Sequence, residues 1–384
     1  MRMPALRLSL IFWLRRFPRL HRVTRRISQR IRDLVLGLLR QMIPATVPWG
    51  PPKGFFSDYE LLRNAKVDGK VLLESQDVPT AAADSLREKS GLKQTHNQPW
   101  PIFWTLHPQG RLIAKSLVLL DKQKRLSREG AFGPAAKTDP AYGNIFLPPP
   151  TRLHGNWTSI KSQWEEGFCH WFLDGLPRLA ILPELPLNTR IIVPSRLAPY
   201  QQQTLQWLGL ADRIRPTEEK HLLIEHYYFC SLTSMTGCYN PFAVQFLRRS
   251  FLPHAKLEYE PPPRFYVRRV GKSRPIDNEH EVLDFFRKRG WAIIDTEQLP
   301  LGIQIRLFSQ AEMICAPHGA GLTNLLWSPP GCKVLELCAS TYLNGIYEGL
   351  AECLALQYRY LIFEGDNTFR SRINLEELER ALEF

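Results

Sequence analysis

Three short stretches carry residue types and spacings suited to chemistry. The first is Ala316-Pro317-His318-Gly319-Ala320-Gly321-Leu322-Thr323-Asn324, which follows an apolar run and opens a helical pattern. Glycines at 319 and 321 permit a tight turn and close backbone approach to a ligand. A helix start adds unpaired N–H donors and a positive dipole end, which together suit a phosphate. His318, at the carboxyl end of the predicted strand, can donate to the same anion. Tight strand–helix packing alone also produces a Gly-x-Gly turn, and that alternative stays open. The second stretch is 166–178, in which His170 and Asp174 stand four apart and share one face of a helix. A carboxylate there can take a proton from a hydroxyl, with the histidine orienting it or sharing the load. A helix cap beside a buried histidine is the plainer alternative. The third is Arg264-Phe265-Tyr266-Val267-Arg268-Arg269-Val270-Gly271-Lys272-Ser273-Arg274. Its cations crowd the end of a predicted strand, the ligand-facing edge of an open α/β sheet. Arginine suits bidentate phosphate contact; a solvated basic loop would look the same.

Several chemistries are excluded by what the chain lacks. An α/β-hydrolase reading of His318-Gly319-Ala320-Gly321 needs a G-x-S-x-G nucleophile elbow, and none occurs. A Walker phosphate loop and a full G-x-G-x-x-G are absent too.

The elements that must position these stretches are legible from residue 163 onward. A helix is expected over 163–182, a strand over 190–193, a helix over 200–208, a strand over 222–230 and a helix over 241–250. After the proline cluster 261–263 the alternation is cleaner. Strands are expected at 265–267, 291–294, 313–315, 334–337 and 358–363, with helices at 279–289, 302–310, 321–327 and 347–353. Such alternation means βαβ units and parallel sheets. Residues 44–150 show short apolar runs between Gly- and Pro-rich loops, read as strands. Four segments follow: a basic stretch 1–43, a first domain 44–250, a linker 251–263 and a second domain 264–384. At 384 residues, two domains with a ligand cleft between them are the natural expectation.

The net charge of +13 is concentrated rather than spread. Residues 1–43 hold eleven Arg, no Lys and a single acid, Asp33, so the body is close to neutral. A nucleic-acid partner is therefore not expected. Leu20, Val23, Ile27, Ile31, Leu34, Val35 and Leu38 recur at helical spacing among these arginines. An amphipathic helix on an anionic membrane surface fits that pattern, and a basic helix packed on the body is the alternative. The apolar run 8–14 is too short to span a bilayer. Seven cysteines show no CxxC pair and no metal-ligand spacing. With no secretory signal, a cytoplasmic protein peripheral to the inner membrane face is expected.

At its three chemical stretches the chain resembles glycosyltransferase family 61, which contains bacterial capsular polysaccharide transferases, plant xylosyl- and arabinosyltransferases and protein O-GlcNAc transferases. The likeness rests on Cys169-His170-Trp171-Phe172-Leu173-Asp174-Gly175-Leu176-Pro177-Arg178, on Tyr266-Val267-Arg268-Arg269, on Asn278-Glu279, on 317–324 and on Val334-Leu335-Glu336-Leu337. Order and spacing agree over about 151–365, whereas 1–150 match nothing. Arg268 stands where the family usually has Ser, and Cys169 where it usually has Tyr.

The resemblance implies an α/β fold of GT-B type, with two Rossmann-like domains whose parallel sheets face a cleft. It implies an inverting transferase that moves a sugar from a nucleotide-sugar donor to a glycan acceptor, such as a capsular or other cell-surface polysaccharide. By that likeness Arg269, Arg274 and His318 hold the diphosphate together with Gly319, Ala320, Gly321, Thr323 and Asn324. Glu336 would accept from ribose hydroxyls, and Asp174, supported by His170, would be the base. With no Asp-x-Asp motif, no metal or other cofactor is expected. The competing class is a non-catalytic, membrane-docked scaffold on a degenerate transferase fold.

Overall fold

The computed structural model describes residues 18–44, 50–74, 85–89, 101–131, 137, 139–144, 146–234, 237, 239–269, 275–365 and 371–384. Two sheets carry the fold. The first has nine strands: β1 (Gly54–Phe56), β2 (Asp68–Leu73), β3 (Ile102–Ile113), β4 (Val118–Leu120), β5 (Arg125–Ser127), β6 (Thr151–Ser159), β7 (Arg190–Pro194), β8 (Ile214–Thr217) and β9 (His221–Cys230). Their order is β1-β5-β4-β3-β9-β6-β7-β8, with β2 pairing β3. The second has five: β10 (Arg264–Val267), β11 (Ala292–Ile294), β12 (Met313–Pro317), β13 (Lys333–Ala339) and β14 (Gln357–Phe363), in the order β11-β10-β12-β13-β14.

The first sheet is mixed, which corrects the expectation of two parallel sheets. β9, β6, β7 and β8 run parallel, while β2, β4 and β9 are all antiparallel to β3. The cause is connection length. Four residues join β3 to β4 and four join β4 to β5, with Ala114, Leu117 and Lys124 at positive φ. Turns that short make hairpins, whereas a parallel neighbour needs a crossover of a dozen residues or more. In the second sheet every connection contains a helix, and all four pairings are parallel.

The helix expected over 163–182 is broken. Residues 163–166 form turns, Phe168–His170 is α-helical, Trp171–Gly175 is a π turn and Leu176–Glu184 is 3₁₀. Pro177 and Pro183 lack the N–H an α ladder needs; Gly167 precedes the α turn and Gly175 ends the π turn.

One apolar core crosses between the sheets. It joins Ile160, Trp171, Phe172 and Val193 on one side to Phe265, Ile305, Trp327 and Leu350 on the other. Trp327 sits at the junction, with Phe172 and Phe251 edge-on to it at 5.8 and 6.1 Å and its indole N–H donating to Asn324 at 3.1 Å. Residues 251–263 lie against this core: Phe251 is buried, and the His254 ring stacks on Trp207 at 4.3 Å. Trp327→Ala is expected to lower the unfolding free energy by about 3–5 kcal/mol in a denaturant titration. A loss under about 1 kcal/mol would mean that the two sheets do not depend on a common core.

Candidate active site

The strand order of the second sheet, counted from its own first strand, is 2-1-3-4-5. Such a sheet reverses direction between its first and third strands, here β10 and β12, and ligands bind at the carboxyl ends beside that reversal. Residues after these two strands are Arg268 and Arg269 on one side and 318–321 on the other. A crevice of about 530 Å³ opens there. Arg268, Arg269, Pro317, Gly319, Ala320 and Gly321 line one wall. Thr296 and Glu297, just past β11, line the floor, and Phe168, Pro199 and Tyr200 approach from the first sheet's side.

The Arg269 guanidinium donates to the His318 carbonyl, which ties the cation to the glycine turn. The helix Ala320–Trp327 begins there, so its N-terminal end faces the crevice. Neither glycine has a left-handed backbone: Gly319 has φ 176°, and neither is among the positive-φ residues. What Gly321 supplies is closeness, since an added Cβ would meet Thr296 Oγ1 at 3.1 Å and Val267 Cγ1 at 3.2 Å. Arg268 pairs with Glu279 at 3.5 Å. Arg274, expected to share the diphosphate, lies outside the described residues.

His170 and Asp174 meet, as their spacing demands, with His170 Nδ1 2.6 Å from Asp174 Oδ2. Their exposures differ sharply, at 30% for the histidine side chain and 4% for the aspartate. Trp164 lies against the imidazole at 5.1 Å between ring centroids. Neither residue lines the crevice itself; Phe168, two residues earlier, does. Arg178, sealed in the interior, carries its charge near Asp174, and burial pulls its guanidinium below the usual value.

The Glycosyltransferase 61 family model matches residues 168–335, a span that takes in both the His170–Asp174 pair and the glycine turn. The likeness is to a Glycosyltransferase 61 domain. Over 138 residues it is 28% identical to the EGF domain-specific O-linked N-acetylglucosamine transferase of Drosophila melanogaster, covering 34% of this chain and 26% of that protein. Over 100 residues it is 29% identical to Beta-1,2-xylosyltransferase RCN11 of Oryza sativa subsp. japonica, covering 23% of this chain and 18% of the other. The chain thus spans about a quarter or less of these relatives' length.

Some of the expected site residues are bound into the scaffold. Glu336 is completely buried, and both its oxygens are taken, one by His318 Nδ1 and the other by the Tyr358 hydroxyl. It is not among the residues lining the crevice, and its carboxylate holds the His318 ring. His318 in turn opens not into the crevice but into a small recess with Arg269, Tyr342 and Ser371. Thr323 is buried with its hydroxyl 3.4 Å from that of Tyr347. Asn324 touches the crevice but spends its side chain on Gln304, the Gly321 carbonyl and Trp327. Both shape the turn from behind.

Cys169 joins the two halves of the domain. Its sulfur is enclosed, although part of the residue reaches the surface, and it bonds to Thr323 and Tyr347. Burial, helped by the Asp174 charge, pushes its thiol up to about 12, so it is inert at neutral pH. The residues that sequence reading missed are Glu297, Thr296 and Tyr200. A signal existed for the first: an acid just past the second strand of a Rossmann-like unit is where a ribose is held. Burial pushes the Tyr200 phenol up to about 12, so it stays a hydroxyl.

Proposed function

We propose that this chain is an inverting transferase of GT-B type, passing a sugar from a nucleotide-sugar donor to a glycan acceptor such as a cell-surface polysaccharide. The observation that carries the reading is the crevice at the sheet's reversal point, walled by Arg269 and the glycine turn, with the His170–Asp174 pair just beyond Phe168. The nucleoside lies along Thr296, Glu297 and Leu299, with Glu297 accepting from the ribose. The diphosphate lies against Arg269 and the start of the helix Ala320–Trp327, and His318 stands behind the turn.

The roles of the pair are reversed from those the sequence implied. Asp174 is buried and holds Nδ1–H of His170, which leaves Nε2 as the lone-pair nitrogen on the exposed side of the ring. His170 takes the acceptor hydroxyl's proton as its oxygen bonds to the anomeric carbon. The carbon–oxygen bond to the diphosphate breaks on the opposite face, and the nucleoside diphosphate leaves with the bonding electrons. Arg269 and the turn N–H groups stabilise that departing charge. The scaffold alternative requires the pair or the turn to be lost, and both are in place.

Because protein cations and N–H groups meet the leaving charge in this reading, turnover is expected to persist in excess EDTA. Release of nucleoside diphosphate from a panel of nucleotide-sugars, with and without acceptor glycans, tests the reading. Abolition by EDTA with rescue by Mn²⁺ would contradict metal independence. No release from any donor would contradict the transfer itself.

A further inference from the structure

Over 27–42, the helix Pro18–Met42 has two faces, and the body covers one of them. Leu36 and Ile43 are buried. Arg40 donates to the Pro52 and Tyr142 carbonyls at 2.9 and 2.8 Å and lies 3.8 Å over the Tyr142 ring. Lys53 donates to the Arg40 and Ile43 carbonyls, closing off the helix end. At 100° per residue, Leu36 and Ile43 sit nearly opposite the stripe formed by Ile27, Ile31, Leu34, Val35, Leu38 and Met42. Those six side chains are 44–76% exposed, so the helix is held by its back and presents a continuous apolar ridge outward. No helix among the described residues is long and apolar enough to cross a membrane.

We infer that this ridge is a docking face for an anionic phospholipid surface, on which the helix lies in the plane of the interface. An exposed, continuous apolar stripe of this length marks an interaction site. The charge selects the partner. Eleven arginines against one acid in 1–43 would repel a second copy of the same segment, whereas they complement a negatively charged lipid surface. The arginines bring the helix to the surface, and the ridge inserts among the acyl chains. Because Arg40 ties the helix to Pro52 and Tyr142, beside the first sheet, docking also sets the body's orientation on the lipid. The inference stands independently of the glycosyl-transfer reading.

The test is co-sedimentation of the full chain with vesicles of phosphatidylcholine alone or with 30% phosphatidylglycerol, about 30% being a convenient anionic fraction. Binding is expected to the anionic vesicles, to be much weaker on the neutral ones, and to fall as salt rises. Ile31→Glu with Leu38→Glu, both at exposed positions, is expected to lower the partition coefficient by about 100-fold, since each lost apolar insertion costs about tenfold or more. Thermal unfolding should be unchanged, which separates a docking defect from misfolding. Absence of binding to anionic vesicles, or equal binding by the double variant, would overturn the inference. A concentration-dependent dimer that the same double variant disperses would overturn it in favour of a second copy.

Discussion

His170→Ala is expected to lower turnover by about 100- to 10,000-fold while leaving nucleoside diphosphate affinity unchanged, the range for loss of a positioned general base. The reasoning starts from burial. A base must reach the acceptor hydroxyl, and Asp174, 4% exposed, has one oxygen already holding the imidazole at 2.6 Å. Asp174→Asn keeps the shape but offers an amide, which stabilises the wrong tautomer and turns the lone pair away from Nε2. In a serine-protease triad that exchange costs about 10⁴ in turnover, and a loss of the same order is expected here. Steady-state kinetics of both variants, with donor binding measured separately, read out the result. If His170→Ala keeps wild-type turnover while Asp174→Asn is inactive, the carboxylate itself takes the proton, as the sequence alone suggested.

Arg269→Ala is expected to weaken nucleoside diphosphate binding by about 1.5–3 kcal/mol, roughly 10- to 150-fold, the value of hydrogen bonds to a charged group. Arg269 lines the crevice and is tethered to the His318 carbonyl, so its guanidinium is already placed before a ligand arrives. Removing it costs both the charge and the brace on the turn. Arg287→Ala is the control, an exposed cation paired with Asp284 on the helix Glu279–Lys288, and should leave binding unchanged. Gly321→Val is less informative than its position suggests. Its side chain would press on Thr296 and Val267 even with the crevice empty. Equal affinity in Arg269→Ala and wild type would remove the diphosphate from this wall.

The second sheet was legible because each of its strands is a short apolar run closed by glycine, proline or a polar cap. Parallel strands covered on both faces read in that way. All five strands and their helices appear within a few residues of expectation. The first sheet was not legible as mixed, since the short hairpins β3-β4-β5 are joined to the parallel strands only through β9, about a hundred residues away from β3. His170 and Asp174 were legible as a pair from spacing alone. Their division of labour was not, because it depends on which of the two the surrounding core covers. Glu336 shows the same limit. Its place on a strand was right, but its partner Tyr358 comes from β14, and only the assembled sheet reveals that both oxygens are spent. The basic helix was expected either on a membrane or on the body. The second of these is visible: its back binds the body, while its ridge stays exposed.

The central claim is that the crevice between β10 and β12 holds a nucleoside diphosphate, and isothermal titration of the full chain tests it most directly. The nucleoside diphosphates of uridine, guanosine, cytidine, adenosine and thymidine are titrated in turn, in excess EDTA. The account predicts saturable binding of at least one at micromolar to low millimolar concentration, weakened about 10- to 150-fold in Arg269→Ala. No binding of any of them to the folded wild-type chain at millimolar concentration would contradict it.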